Sequence, residues 1–293
     1  MTDAIAELRT LVLRHASVPR SVLPDVSLWA SKGVCSAPGI YEPMLYFTLQ
    51  GTKRLVSGER TLEFGERSFV LASLDVPVLW SVIGATPERP YLAASLKLDA
   101  VVIAGLLLDL PAAVNPADDP TSDPEALIVS PVTDAMSDAL LRLLRLFDAP
   151  ADAPLLAPMI ERELLYRVLQ GPRGHVLRQL ARSDSRRSQI QRAVKWIRAH
   201  LAEPLPVETL AGIASMSVSS FHRHFKAIMG QSPLAFHKQV RLQEARLRLI
   251  AEPGGVASIA FAVGYESASQ FTREYTRQFG LPPARDAARL RAG

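Results

Sequence analysis

The segment LAGIASMSVSSFHRHFKAIMGQSP at residues 210–233 returns in outline as IAFAVGYESASQFTREYTRQFGLPP at residues 259–283. The copies are offset by 49 residues before the central turn and by 50 after it, so the second copy has one additional turn residue. Each copy predicts a short helix, a tight turn and a second helix, the helix-turn-helix unit whose second helix enters the DNA major groove. Two such units, at residues 206–229 and 256–279, predict that one chain reads two adjacent stretches of groove.

The second helix of each copy divides into an apolar and a polar side. Aromatic residues at helical spacing, Phe221 and Phe225 in the first copy, predict the inward side, and Ser217 and Ser267 are candidate N-caps. The residues left on the outer side are the candidate DNA contacts: Ser219, His222, Arg223, Lys226, Ser269, Gln270, Arg273 and Arg277.

Arg223 and Arg273 occupy equivalent outward positions, and arginine bidentate to guanine is the commonest specific base contact. The alternative for both arginines is a phosphate contact or a surface salt bridge. Gln270 is a candidate reader of adenine, and His222 a candidate donor to guanine.

Residues 234–250 lie between the copies and predict one helix of about 17 residues, or roughly 25 Å at the standard rise. Such a helix would hold two reading helices about one DNA turn apart, roughly 34 Å. Ser188 is a candidate cap for a further helix that ends near Leu201, and residues 182–188 are polar enough for a linker.

The charge of the chain is unevenly distributed. Residues 186–293 contain 16 Lys and Arg against 7 Asp and Glu, whereas the first 185 residues contain 17 against 22. A basic segment beside an acidic one is typical of a nucleic-acid-binding domain attached to another domain. The alternative is that Arg-rich helices are merely solvated.

The first part of the chain reads as one helix followed by strands. Residues 2–16 form an amphipathic pattern, and from about residue 22 to 98 short strands alternate with Gly, Pro and Asp. Gly58-Glu59 is a two-residue hairpin signal. Many short strands at this spacing predict a small antiparallel barrel or jelly roll. The predicted strands are 44–49, 54–57, 60–64, 68–72, 77–83 and 91–96.

Helical patterns follow the strands. Residues 101–110 precede a Pro- and Asp-rich loop at 111–124, and residues 134–147 and 155–169 form a helical hairpin with apolar stripes. We expect these stripes to mediate a homodimer, since together they exceed what one hairpin can bury. The alternative is that they belong to the core of one chain.

The chain resembles the AraC/XylS family of transcription regulators. The resemblance rests on both helix-turn-helix copies, on the pattern from Arg241 to Leu249, and above all on the pattern from Ile259 to Pro283. It covers about residues 186–290. Asp286 departs from the family pattern, which has an aromatic residue three positions after the proline, and this departure predicts weaker packing of the terminal segment.

A looser match from Met44 to Tyr91 resembles the regulatory domain of one subfamily, which implies a cupin-like barrel followed by a helical dimerisation region. The fold class expected is therefore α+β: an antiparallel cupin-like β-barrel, a central helical hairpin and an all-α C-terminal domain. The expected domains are 1–110, a barrel with its N-terminal helix; 111–185, a helical connector; and 186–293, the DNA-binding domain.

Two other classes of function, a cupin enzyme and a constitutive architectural DNA binder, fit the sequence less well. A cupin enzyme needs several histidines and a carboxylate around a metal, but no histidine occurs between His15 and His175 and Cys35 is the single cysteine. Neither a Gly-x-Ser-x-Gly elbow nor a Walker loop is present. A constitutive architectural DNA binder would not need a long acidic regulatory domain. We therefore expect no enzyme activity, no cofactor, no catalytic residue and no metal site.

The interpretation is a sequence-specific transcription regulator controlled by a small organic effector. Tyr46, Phe69 and Trp80 are the candidate effector contacts, and plain barrel core is the alternative for each. The expected partners are double-stranded operator DNA, the effector, a second copy of the chain and, as a candidate, RNA polymerase. A single cysteine, no signal-peptide pattern and no apolar run of membrane-spanning length predict a cytoplasmic protein without a membrane partner.

Overall fold

The computed structural model describes residues 2–17, 22–110, 125–182, 184–251 and 255–292. The chain divides into two compact units, residues 1–189 and residues 190–293. The predicted boundary between barrel and connector, at residues 110 and 111, falls inside the first unit. The predicted start of the DNA-binding domain at residue 186 lies four residues before the second unit begins.

The first unit combines strands with helices. Its strands are β1 (Val26–Ser31), β2 (Ser36–Tyr41), β3 (Met44–Gln50), β4 (Thr52–Ser57), β5 (Arg60–Gly65), β6 (Ser68–Ala72), β7 (Val76–Ile83), β8 (Tyr91–Lys97) and β9 (Leu127–Pro131). Its helices are α1 (Thr2–His15), α2 (Ala100–Asp109), α3 (Asp134–Arg145), α4 (Ala153–Gln170) and α5 (Gly174–Ala181).

All nine described strands pair antiparallel, in two sheets rather than one barrel. The first sheet has the order β1-β8-β3-β6-β9 and the second the order β2-β7-β4-β5. Of the two alternatives that the sequence left open, a barrel or a jelly roll, the described strands do not form the barrel, because they do not close into a single sheet. Gly51, at a φ of 84°, turns the chain from β3 in one sheet into β4 in the other, and no ladder joins them. Tyr46 of β3 meets Tyr41 and Phe64 of the second sheet, so side chains rather than backbone hydrogen bonds connect the sheets.

The strands that the sequence predicted are present within one or two residues of their expected limits. The pairing of Ser57 with Arg60 confirms the two-residue hairpin at Gly58-Glu59. Three strands were not predicted individually, namely β1, β2 and β9. The last of them comes from the expected helical connector and forms an edge of the first sheet beside β6.

Helices cover the first sheet and share one core with it. Leu8, Leu11 and Val12 of α1 are buried with Leu140 and Leu144 of α3 and with side chains from β3, β6 and β8. The stripe of α3 and the second half of α4 therefore belong to the core of this unit. Leu155 and Met159 of α4 remain 72% and 61% exposed. The predicted loop at residues 111–124 lies outside the described residues.

Arg187, in the predicted linker, is one of the largest fully buried side chains. Its guanidinium donates to Ser73 Oγ (2.6 Å), to the carbonyl of Glu125 (2.8 Å) and to Gln179 Oε1 (3.0 Å). Helix α6 (Arg186–Ala199) begins here, and the Ser188 amide donates to Ser185 Oγ, so the capping role expected of Ser188 falls to Ser185. The predicted linker is thus partly helical and partly buried in the first unit.

All secondary-structure elements among the described residues of the second unit are helices, and their arrangement follows the sequence repeat. After α6 come α7 (Val207–Ile213), α8 (Val218–Met229), α9 (Pro233–Ala251), α10 (Val256–Ala262), α11 (Ala268–Phe279) and α12 (Pro283–Ala292). Helices α7 and α10 start 49 residues apart, whereas α8 and α11 start 50 apart, as the sequence repeat requires. The connecting helix α9 has 19 residues and spans about 28 Å.

Asp286 occupies the centre of a buried polar cluster in this unit. Its carboxylate accepts from Arg246 Nε (2.6 Å) and Nη2 (3.1 Å) and from Tyr275 Oη (3.0 Å), and the whole residue is 0% exposed. The structure gives the Asp286 carboxylate partners that the sequence did not reveal, and weaker packing of the terminal segment stays a prediction. A carboxylate in place of an aromatic residue ties α12 to α9 and α11 by hydrogen bonds instead of ring packing.

Candidate nucleic-acid interface and effector cavity

Helices α8 and α11 expose the whole predicted set of DNA contacts. Phe221, Phe225, Phe271 and Tyr275 are 0% exposed and fix the inner side of each helix. The eight candidate contacts are all exposed on the other side: Ser219, His222, Arg223, Lys226, Ser269, Gln270, Arg273 and Arg277. Among the described residues, the guanidinium groups of Arg223 and Arg273 have no ion-pair or hydrogen-bond partner, so both remain available to an anionic or acceptor ligand.

The two copies build their turns by different means. Gly264 has a φ of 88°, and a Cβ there would overlap the backbone of Ala202, so glycine is required for conformation and for space. In the first copy the equivalent Ser215 adopts a φ of 53° despite its side chain. Ser217 and Ser267 accept from the amides of Ser220 and Gln270, which confirms both predicted N-caps.

Gln270 already has an intramolecular partner for its side-chain amide. Its Nε2 donates to Glu274 Oε1 at 3.2 Å, and Glu274 also accepts from Tyr265 Oη (2.9 Å) and Lys238 Nζ (3.2 Å). Although burial alone would raise the pKa of Glu274, these hydrogen bonds lower it below its ordinary value. To bind an adenine through both its amide oxygen and its amide nitrogen, Gln270 would have to give up its hydrogen bond to Glu274.

The basic residues of α9 serve mainly intramolecular roles. Arg246 pairs with Asp286, Arg248 with Glu244 and Lys238 with Glu274. The guanidinium of Arg241 donates to the carbonyls of Leu201 and Glu203. Available positive charge is therefore found on α8 and α11 rather than on the helix between them.

The first unit contains a cavity of about 580 Å³ between its two sheets. Tyr46 and Trp80 line it, as the sequence predicted, but Phe69 does not. The register pairs Phe69 of β6 with Phe47 of β3, and Phe47 stands on the opposite face from its neighbour Tyr46. Phe69 therefore belongs to the core beneath the helices, where its ring lies 5.6 Å from that of Phe47.

Lys53 is the cavity residue that the sequence interpretation missed. It is 5% exposed, and its Nζ donates to Tyr46 Oη at 2.8 Å. Burial lowers the pKa of Lys53 to about 7, and the Cys35 thiol, which also lines the cavity, acts in the opposite direction. The alternation of β4 could have revealed it, since Lys53, Leu55 and Ser57 point inward together. Four aromatic rings surround the amine. Their centres lie at the following distances from Nζ: Tyr46 at 4.2 Å, Trp80 at 4.8 Å, Tyr41 at 5.5 Å and Tyr91 at 5.8 Å.

Neither a metal-ion cluster nor a membrane-spanning helix is found among the described residues. No group of three or more His, Cys, Asp or Glu side chains within them has a geometry that could hold a metal ion. None of their helices combines the length and apolar character needed to cross a bilayer.

Family models match both units. Residues 23–176 match the model described as AraC-type transcriptional regulator N-terminus, which is more than half of the chain, and residues 210–289 match the model of a helix-turn-helix domain.

Individual proteins match over different lengths. The chain is 25% identical to the transcriptional regulator ExsA of Pseudomonas aeruginosa over 80% of this chain and 85% of that protein. It is 41% identical to the RCS-specific transcriptional activator RclR of Escherichia coli K12, but over only 29% of this chain and 30% of that one. The crystal structure of ToxT from Vibrio cholerae with a bound unsaturated fatty acid covers 89% of this chain and 93% of its own. Its TM-score of 0.58 at 10% identity is a likeness of fold alone.

Proposed function

The chain belongs to the AraC-type transcriptional regulators, and we propose that it binds a specific operator through α8 and α11 under the control of a small molecule bound in the first unit. The observation that carries this proposal is the pair of equivalent reading helices, each with an exposed arginine that has no partner among the described residues. One molecule then contacts two successive major-groove segments, and its site is a non-palindromic stretch of roughly two DNA turns.

The two arginines divide the site between them. Arg223 and Arg273 lie at the same place in their helices, so each reads one half of the operator. A bidentate contact to guanine contributes about 1–3 kcal/mol of discrimination. Lys226 is an ammonium on a flexible stem and contacts phosphate, which contributes affinity without base preference.

A selection of binding sites from random DNA at one fixed salt concentration tests this assignment. Arg223→Ala and Arg273→Ala should each relax base preference in a different half of the selected site. Lys226→Ala should weaken all sequences alike and reduce the salt slope by about one. Lys195→Ala, an exposed change on α6, is the matched control and should leave the selected sequence unaltered. If both arginine variants keep the wild-type preference and lose only overall affinity, the two arginines contact phosphate and the assignment is wrong.

Effector control is supported by the cavity of the first unit and by the fatty acid bound to the similarly folded ToxT. A cavity of about 580 Å³ lies within the range of small-molecule sites. Dimerisation through the helical hairpin is supported by the exposed Leu155 and Met159 of α4, although most of the predicted stripe lies in the core. RNA polymerase as a partner and a cytoplasmic location stay predictions from the sequence.

A further inference from the structure

The cavity of the first unit contains a buried amine without a counter-charge. Lys53 is 5% exposed, and within the described part of the chain no carboxylate pairs with its ammonium. Burying an unpaired charge costs free energy, and the surrounding ring faces offset only part of that cost. The depressed pKa of Lys53 is a consequence of this imbalance. A bound anion would offset this cost by pairing with the ammonium.

A second polar group at the same place lacks a partner. Tyr41 is 6% exposed, and its hydroxyl has no hydrogen-bond partner in the described structure. Its ring centre lies 5.5 Å from Lys53 Nζ and 5.6 Å from the centre of the Tyr46 ring. Tyr46 is already engaged, because its hydroxyl accepts from Tyr91 Oη (3.1 Å) as well as from Lys53. Lys53 and Tyr41 thus present N–H and O–H donors that lack an acceptor.

The remaining lining favours a largely apolar ligand. Trp29, Ile40, Met44 and Trp80 contribute ring and aliphatic surface. The other charged lining residues are Asp25, Glu42 and Lys97, of which the last two lie 3.8 Å apart as an ion pair. Asp25 adds a carboxylate to the lining, and Lys53 is the one unpaired cation among the described lining residues. A single carboxylate matches it, whereas a phosphate or a dicarboxylate would require further cations.

We propose that the effector is an organic acid with an aromatic or aliphatic body and one carboxylate, which accepts hydrogen bonds from Lys53 Nζ and Tyr41 Oη. This inference rests on the proposed role of the cavity as the effector site. The apolar body fills the space between the sheets against the tryptophan and aliphatic side chains.

The proposal implies that binding depends on pH. The titratable groups facing the amine are Cys35, Tyr41, Tyr46 and Tyr91, and burial raises the pKa of all three tyrosines, that of Tyr91 to about 12. A carboxylate pairs with the ammonium form of Lys53 and not with the neutral amine. Above the free pKa of about 7, binding of the acid is therefore coupled to protonation of the amine. Since the acid stays ionised throughout, the dissociation constant of its complex should rise between pH 6 and pH 9 by a factor on the order of 10 to 100.

Titration calorimetry of the full chain with three acids and their primary amides tests the proposal. The probes are 3-phenylpropanoic, 4-phenylbutanoic and 6-phenylhexanoic acid. At pH 6 at least one acid should bind at least tenfold more tightly than its own amide. The affinity for that acid should fall towards pH 9 by the factor given above. Binding at pH 8 should be accompanied by uptake of a proton. Lys53→Met should abolish the difference between acid and amide, and Tyr41→Phe should weaken the acid several-fold. If no acid binds up to about 1 mM, or if acids and amides bind alike, the proposal is overturned.

Controls separate the amine from its surroundings. Lys32→Met removes an exposed lysine of the same unit that does not line the cavity, and it should preserve both the preference for the acid and its pH profile. Thermal unfolding of each variant verifies that it folds. Selection of DNA sites with the same preparations is read separately. Failure to select any sequence would refute the proposed function and leave the ligand result standing, whereas DNA binding without a preference for the acid would refute only the present inference.

Discussion

Replacing Asp286 by alanine is expected to destabilise the second unit by about 3 kcal/mol or more. The side chains of Arg246 and Asp286 are 4% and 0% exposed, so the change leaves an arginine buried without its counter-charge. Removing one partner of a buried ion pair costs about 3–5 kcal/mol. Tyr275 loses the acceptor of its hydroxyl as well, while the Phe279 ring, with its centre 4.6 Å from Arg246, still faces the guanidinium and offsets part of the loss.

Thermal unfolding of the fragment 190–293, followed by circular dichroism, measures this cost. Each kcal/mol lowers the Tm of a domain of roughly this size by about 4–8 °C, so Asp286→Ala should lower it by about 12 °C or more. Arg289→Ala is the matched control, because Arg289 contacts the same carboxylate at 2.9 Å with a side chain that is 60% exposed. Its effect should stay below about 1 kcal/mol.

A double replacement tests the cause. Arg246→Met combined with Asp286→Leu removes both charges and fills the space with apolar atoms, which is often neutral or stabilising for buried pairs. The double variant should therefore be more stable than Asp286→Ala. Equal losses for Asp286→Ala and Arg289→Ala, or a double variant no more stable than the single one, would refute the reasoning.

Three further predictions follow from the same structure. Lys53→Met should stabilise the full chain by a few kcal/mol below pH 7, and this gain should shrink as pH rises towards 10.5. The reason is that between these pH values the lysine is protonated in the unfolded state but neutral in the folded state. Chemical denaturation at several pH values measures the free energy of unfolding of both proteins. Gly264→Ala should cost more than about 2 kcal/mol through overlap with backbone, whereas Gly280→Ala, with a φ of 76° in open space, should cost about 1–2 kcal/mol in the same assay. In sedimentation experiments the fragment 1–189, with its buried Arg187, should be a dimer, and the fragment 190–293 should be a monomer. The reverse result would contradict dimerisation through the first unit.

The sequence was most informative about the helices that are defined by local sequence patterns. The offsets of 49 and 50 residues fixed the order and length of α7, α8, α10 and α11, because apolar periodicity, serine caps and glycine turns act within a few residues of one another. The exposed candidate DNA contacts on α8 and α11 could be predicted for the same reason. Hydrophobic alternation likewise located six of the nine described strands.

Pairings over long sequence separations had to come from the tertiary structure. Alternation reveals which residues share a face of one strand, but not which strands become neighbours, so two sheets could not be distinguished from a barrel. Phe69 was misplaced because its face depends on its register with Phe47. The identity of Asp286 predicted weaker packing, and only the tertiary structure revealed its partner Arg246, 40 residues away. Lys53 became a candidate ligand contact only once the fold had enclosed it among four rings, because the pKa of an amine depends on burial and on nearby charge, which local sequence does not specify.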